Sequence, residues 1–336
     1  MRNYREALVI GDLHFRDDIA PGYLNIQAET ILRLTQQKHY DYVIFMGDVL
    51  EHRNSKSTVL LKFYELLASI KAGEIIIIRG NHDTVSKTNT TDTVLSVFRD
   101  RATIIADITT LKLFHTVVDF VPHFEDEKII KNFVKKRSNV VFGHWGIDGI
   151  ANSKGFTYES KVKRTDFNNL VFLGHLHTHS IKDNVHVIGT PYSTNYSEAN
   201  QHKYYYEMRF ESNGTVTPYP KKMKFGIKHI SAFMGNIDNL YRQYEPQAFY
   251  TLLRMNMDDL DEFKERELRE KIQKKYKYNI LDIRFDNLLS KHSSRFHTNA
   301  KLFNINDGIL EEYIEQNSTI FEKDELRSML KEIHDY

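Results

Sequence analysis

Apolar residues in the first half of this 336-residue chain come in short uninterrupted runs, and five of those runs lead into a glycine. Residues 7–10 lead into Gly11-Asp12-Leu13-His14, and residues 42–46 into Gly47-Asp48. Residues 75–78 pass through Arg79 into Gly80-Asn81-His82-Asp83, residues 140–142 lead into Gly143-His144, and residues 170–173 into Gly174-His175-Leu176-His177. Continuous β-branched and aromatic runs without polar alternation are the pattern of strands covered on both faces. Residues 26–39 and 58–70 instead place apolar side chains three and four apart, which predicts helices. Strands alternating with helices predict a largely parallel sheet with helices outside it. Ligands gather at the carboxyl ends of such strands, so all five junctions are expected at one edge.

The second half reads differently. A β-pair, 203–210 and 215–219, is predicted around the turn Ser212-Asn213-Gly214, followed by a basic link from Lys221 to Lys224. A strand (249–255), a helix (258–276) and a strand (279–285) come next. In that helix Leu260, Phe263, Leu268, Ile272 and Tyr276 line one face behind Asp258 and Asp261 at its start. Residues 290–303 read as a polar linker. Beyond it, Ile309, Leu310, Tyr313 and Ile314 form one amphipathic stripe, and Leu326, Met329, Leu330 and Ile333 another. Helices this short are marginal alone, so they must dock, either on the chain's own body or on a partner.

Composition narrows the class. With 41% hydrophobic and 27% charged residues the chain can bury a core and is not disordered. No apolar run approaches the ~20 residues that span a bilayer, and residues 1–6 carry no export signal. The absence of cysteine removes disulfides, thiolate zinc sites and cysteine nucleophiles. A soluble, cytoplasmic protein without membrane association is the expectation. Net charge is +1, but residues 306–336 hold nine acidic and three basic side chains, hence −6, leaving +7 for the rest. An acidic tail on a mildly basic body suggests separate tasks, although a solvated helix face would look the same.

The glycine-linked residues set the chemistry. Taken singly, Asp after Gly is a turn or cap, Asn81 a turn residue and each His a structural side chain. Taken together, carboxylates, one amide and several imidazoles suit Mn²⁺, Fe²⁺ or Zn²⁺ better than the all-oxygen shell of Ca²⁺. Seven or eight such ligands are too many for one tetrahedral ion. They suit two ions roughly 3.5–4 Å apart that share a carboxylate and flank an in-line phosphoryl displacement. Spacing alone does not choose which two of His175, His177 and His179 would bind.

Asp12-x-His14, Gly47-Asp48, Gly80-Asn81-His82-Asp83, Gly143-His144 and Gly174-His175-x-His177, in this order over about residues 7–192, resemble the five-motif signature of the calcineurin-like metallophosphoesterases. The resemblance implies an α/β fold of four layers, two mixed β-sheets face to face with helices outside. It implies that Asp12, His14, Asp48 and His177 hold one ion and Asp48, Asn81, His144 and His175 the other. It further implies that His82 acts beside the phosphate, on the transition state or the leaving oxygen, and that Asp83 orients its ring. Where many members carry Asp three residues after the bridging Asp, this chain has Glu51-His52. Either Glu51 substitutes at longer reach or His52 faces the substrate. Arg79 is shared with the protein Ser/Thr phosphatases, whose motif nonetheless ends in Glu and whose Asp-Arg-Gly stretch is missing here.

Within that superfamily the chain is most similar to the nuclease subunits of the SbcCD type, including those of phage recombination. Gly143-His144-Trp145 precedes an aromatic and basic insertion from Lys154 through Tyr158 to Arg164, and Gly189-Thr190-Pro191-Tyr192 resembles the turn of that group. This similarity implies a nuclease domain (1–225), an α+β capping domain (226–290) and a linker with C-terminal partner-binding helices (291–336). It implies two divalent ions, Mn²⁺ or alternatively Mg²⁺, and hydrolysis of DNA phosphodiesters, with His52, Arg53, Tyr158 and Arg164 near the substrate. It implies a homodimer of the nuclease subunit bound through its C-terminal helices to an SMC-like ATPase. This chain has no G-x-x-x-x-G-K-[ST] loop of its own, so any gating ATP would come from another chain. A phosphatase or phosphodiesterase acting on a small or protein substrate is the alternative.

Overall fold

The computed structural model describes residues 2–86, 92–134, 139–151, 155–233, 236–239, 248–257, 262–275 and 280–287. The C-terminal helices, the linker at 290–303 and helix-face positions Leu260 and Tyr276 lie outside them. Contacts divide the chain into a unit of Met1–Met255 with Arg269–Arg284 and a unit of Asn256–Leu268 with Phe285–Tyr336.

The first unit is built on two six-stranded sheets. In chain order the elements are β1 (Tyr4–Ile10), α1 (Tyr23–Thr35), β2 (Tyr40–Phe45), α2 (Ser57–Ser69), β3 (Ala72–Ile78), β4 (Thr103–Ile105), β5 (Thr109–Leu113), β6 (Thr116–Val121), α3 (Glu127–Val134), β7 (Val140–Gly143), β8 (Val171–Leu173), β9 (Ser180–Lys182), β10 (Val185–Val187), β11 (Tyr204–Glu211) and β12 (Val216–Lys222). One sheet runs β12-β11-β1-β2-β3-β4, the other β5-β6-β7-β8-β10-β9. β1 to β4 are mutually parallel, as are β6, β7, β8 and β10, while β5, β9, β11 and β12 run antiparallel to their neighbours.

Alternation along each strand explains why its sequence is apolar throughout. Ala7, Val9, Ile44, Met46, Ile76 and Ile78 of the first sheet share a cluster with Phe120, Phe142 and Phe172 of the second. Their chain neighbours Leu8, Ile10, Val43, Phe45, Ile75 and Ile77 pack with Ile26, Ile31 and Leu34 of α1 and Phe63, Leu66 and Leu67 of α2. On the far face of the second sheet, Val141, Val171 and Leu173 pack with Ile130 and Val134 of α3. Both faces of each strand are therefore dry, which polar alternation would forbid. Phe120, Phe142 and Phe172 stack across adjacent strands, with centroids 5.5 and 5.0 Å apart. The four-layer expectation holds, with one refinement: the ligand-bearing strands are split between two sheets, so the five junctions meet at one end of a sandwich.

Downstream, β13 (Gly226–Phe233), β14 (Phe249–Met257) and β15 (Ile280–Asn287) form a three-stranded sheet, with α4 (Glu262–Lys275) between the last two. Ile227 and Leu252 belong to the α1–α2 cluster, so apolar packing continues past residue 225. Lys221 and Lys222 close β12, where a link was expected, and Met223 is buried. The described parts of the second unit are the ends of β14 and β15 and the first half of α4. Among the described residues no helix is long and apolar enough to cross a membrane.

Candidate metal centre

Each motif leaves its strand through a constrained turn. His14, Asp48 and His175 adopt left-handed backbone conformations, with φ of 48°, 45° and 74°. Such conformations cost a non-glycine residue energy and cluster at functional sites. The glycines before them are required by crowding. A Cβ on Gly80 would lie 2.1 Å from Asp48 Oδ1, and one on Gly47, at φ 101°, would lie 2.3 Å from His144 Nδ1. At Gly47, Gly80 and Gly174 the ligands fill the space a side chain would need, and at Gly11 and Gly143 the Gly189 backbone and the Trp145 ring do.

Asp12, His14 and His177 converge, as do Asp48, His144 and His175, each trio with ligand atoms within 4.8 Å of one another. His14 Nε2 and His177 Nε2 face each other at 3.0 Å. The other nitrogen of each ring is taken by a carboxylate: His14 Nδ1 lies 3.0 Å from Glu51 Oε2, and His177 Nδ1 2.7 Å from Glu198 Oε1. A ring that donates from Nδ1 presents a lone pair at Nε2. The two Nε2 atoms meet beside Asp12 Oδ2, a buried oxygen with no hydrogen-bond partner. A cation there would take all three as ligands.

The second trio repeats the arrangement. His144 Nδ1 donates to the Met46 carbonyl at 2.7 Å, which turns its Nε2 toward Asn81 Oδ1 at 3.1 Å and Asp48 Oδ2 at 3.3 Å. His175 brings Nδ1 to the same Asn81 oxygen at 3.0 Å, with its Nε2 3.4 Å from the Tyr158 hydroxyl. All seven expected ligands are thus assembled, with Asp48 within reach of both trios through His14 (3.9 Å) and His144. This donor set fits two divalent ions. His179 is turned away, 3.0 Å from the Tyr206 hydroxyl and stacked on Tyr204.

Protonation reflects the same crowding. Burial alone would depress His14, but the hydrogen bond to Glu51 and the charges of Asp48, Glu51 and Asp12 outweigh it and hold the ring at about 9. Burial of His144 is likewise outweighed by Asp48 and Asp12, at about 9. His175 goes the other way, to about 3, through burial and the charge on His144. Burial pushes Asp12 up, while His144 and its neighbours hold Asp48 well below the usual range despite burial. Without metal, protons on two imidazoles supply the positive charge that these carboxylates require.

His82 stands beside these two trios and forms a third close group with His14 and Asp48, their ligand atoms within 4.8 Å of one another. Its backbone N–H donates to Asp48 Oδ1 at 2.8 Å, and its Nδ1 donates to the Glu51 carbonyl at 2.6 Å, which leaves Nε2 as the remaining nitrogen. Its ring lies edge-on to His14 with centroids 5.0 Å apart. Asp83, expected to orient that ring, is turned into the protein. It accepts from the backbone N–H groups of Gly80 (2.9 Å), Leu50 (3.1 Å) and Val49 (3.3 Å), tying the β2 and β3 loops together. Burial and the charge of Asp48 raise its carboxyl to about 6.

Of the residues expected near substrate, Tyr158 reaches a ligand side chain, 3.4 Å from His175 Nε2. His52 is half exposed and lies 3.6 Å from Asp18, while Glu51 reaches His14 Nδ1 at 3.0 Å. Arg53 spends N–H groups on Thr84 Oγ1 and the Asn81 carbonyl, both at 2.8 Å, so it positions Asn81. Arg164 is paired with Asp183 on the turn between β9 and β10. Arg79 is fully buried and braces the Ala106 and His123 carbonyls.

Three supports complete the site; the turn that carries Tyr192 was marked in the sequence, while Gln27 and Glu198 had no signal there. Gln27 of α1 donates to the Leu13 and His14 carbonyls and accepts from the Arg16 N–H. Tyr192 of the Gly-Thr-Pro-Tyr turn donates to the Leu13 carbonyl at 2.6 Å. Glu198 is buried against His177 and Lys203. Burial opposes its ionisation, yet Lys203 and His177 hold its carboxyl far below the usual range.

A sequence profile described as calcineurin-like phosphoesterase matches residues 6–179. No curated protein matches the chain significantly. Among solved structures, a novel archaeal phosphodiesterase is 12% identical, over 64% of this chain and 99% of that one, with a TM-score of 0.34. Purple acid phosphatase PPD1 from yellow lupin seeds is 11% identical, over 67% and 52%, with a TM-score of 0.41. AQ665 of Aquifex aeolicus, a protein of unknown function, is 15% identical, over 51% and 89%, with a TM-score of 0.30.

Proposed function

The chain belongs to the calcineurin-like phosphoesterase family, a family of binuclear metal-dependent hydrolases of phosphoester bonds, and from that premise we propose that it is a DNA nuclease of the SbcCD type. The observation that carries the choice of substrate is the insertion after β7. It returns Tyr158 to within 3.4 Å of His175 Nε2, while Phe156 on the same segment is 69% exposed. Aromatic side chains beside a phosphoesterase centre offer stacking surfaces for bases, worth about 1–3 kcal/mol per base and indifferent to sequence.

When bound, two divalent ions, Mn²⁺ or Mg²⁺, supply an activated water and neutralise charge on the phosphate. The protein's own part is positional. Asp12, His14, Asp48 and His177 would hold one ion, and Asp48, Asn81, His144 and His175 the other. Glu51 fixes the His14 tautomer and, through its backbone carbonyl, the ring of His82. That leaves His82 Nε2 to carry a proton to the leaving oxygen. The capping domain at 226–290, a homodimer, a cytoplasmic location and an SMC-like ATPase bound by residues 306–336 belong to the same proposal.

Incubation with linear duplex DNA, single-stranded DNA and p-nitrophenyl phosphate, each with Mn²⁺ or Mg²⁺, tests it. Metal-dependent cleavage of DNA is expected. Turnover of the monoester alone would replace the nuclease with a phosphatase. Deleting residues 306–336 is expected to spare cleavage by the isolated chain and to abolish co-purification with the ATPase.

A further inference from the structure

We infer that Glu198 is a positioning residue that sets His177 in the one tautomer able to bind metal, an inference that rests on the metal-centre reading above. Glu198 ends the short 3₁₀ turn Tyr196–Glu198, outside the matched segment 6–179, and is fully buried. Every group that meets its carboxylate there is a donor or can act as one. Oε1 accepts from His177 Nδ1 at 2.7 Å, Thr194 Oγ1 at 2.5 Å and Asn195 Nδ2 at 3.3 Å. Oε2 accepts from Lys203 Nζ, Thr190 Oγ1 at 3.0 Å and the Thr194 N–H at 3.3 Å. Lys203 Nζ also donates to the His177 carbonyl at 3.2 Å, so ring and backbone of one ligand hang from the same buried pair.

The chemistry leaves His177 one choice. A carboxylate has no proton to give, so Nδ1 must carry the hydrogen and Nε2 the lone pair. That Nε2 lies 3.0 Å from His14 Nε2 and 3.9 Å from Asp12 Oδ2. The tautomer is therefore set by the fold before any ion arrives, and removing such a partner weakens metal binding by about 10–100-fold. The Glu198–Lys203 pair could also merely knit the segment before β11, and the two roles separate under substitution.

Glu198→Gln keeps shape but offers one acceptor and one donor. Lys203 claims the amide oxygen, the amide N–H₂ faces His177 Nδ1, and the ring is forced to protonate Nε2. Manganese titration of the full chain by calorimetry is expected to show two ions in the unaltered protein. In Glu198→Gln one site should weaken by about 10–100-fold while the other is unchanged. Ring ¹⁵N shifts of metal-free protein should show His177 moving from the Nδ1–H to the Nε2–H form. Adding Lys203→Met frees the amide oxygen to face His177 and should restore both the shifts and most of the affinity. Unchanged affinities in Glu198→Gln, equal weakening of both sites, or no recovery in the double variant would overturn the assignment. Failure of the unaltered protein to take up manganese would instead remove the metal-centre reading on which it rests.

Discussion

The two halves of the centre use similar residues but are wired differently. Where Asp12, His14 and His177 meet, both imidazoles are backed by carboxylates, Glu51 and Glu198. Where Asn81, His144 and His175 meet, His144 is backed by the Met46 carbonyl and His175 by the Tyr158 hydroxyl. Asp48 serves both. The first half therefore gathers Asp12, Glu51 and Glu198 around its ion, while the second relies on Asp48 and neutral donors. Since attraction between charges grows as water is excluded, the first half should hold its ion more tightly. The second opens toward Tyr158 and the insertion, so it is the half through which substrate chemistry would be tuned.

The largest expected effect follows from what the halves share. Asp48→Ala should empty both of them and abolish hydrolysis, as manganese stoichiometry would register; retention of either ion would mean that the halves are independent. Next, His82→Ala lies in neither trio's backing. It should lower turnover by about 10²–10⁴-fold with both ions retained, and loss of an ion would make His82 a ligand. Glu51→Gln should weaken the first half alone, by about 10–100-fold in manganese affinity, against little change in the second.

The smallest effect is on metal-free stability. His14 in one half and His144 in the other are held at about 9, above the ordinary 6.5. Their protons favour the folded state fully below pH 6.5, and this contribution is lost as pH rises to about 9. With EDTA the melting temperature should fall across that window. With Mn²⁺, which displaces the protons, the fall should vanish. The same competition predicts that apparent manganese affinity drops as pH falls below about 9, where these two imidazoles take up their protons.

A similar contrast governs what the sequence made legible. β1, β2, β3, β7 and β8 were readable because an apolar run covered on both faces ends in a glycine, forced by the ligands after β2, β3 and β8 and by Gly189 and Trp145 after β1 and β7. β4 and β9, three residues each, carry no such ending, and neither do α3 and β13, so none was anticipated. All seven expected ligand positions were legible as an ordered set, and the fold brings them together. Their supports were not, because tertiary distance hides them: Glu198 follows His177 by 21 residues and Gln27 sits on a helix face. Asp83 was misread for the opposite reason. Adjacent in sequence to His82, it is carried by the turn toward the Val49 and Leu50 amides. Arg53 and Arg164 have the right charge for a phosphate, but nothing in the chain order shows that Thr84 and Asp183 reach them first.

Anomalous diffraction from crystals of the full chain grown with Mn²⁺ at neutral pH tests the dinuclear centre most directly. Two manganese peaks are expected, one among Asp12, His14 and His177, the other among Asn81, His144 and His175, with Asp48 bound to both. A single peak, or ions held by other side chains, would contradict it.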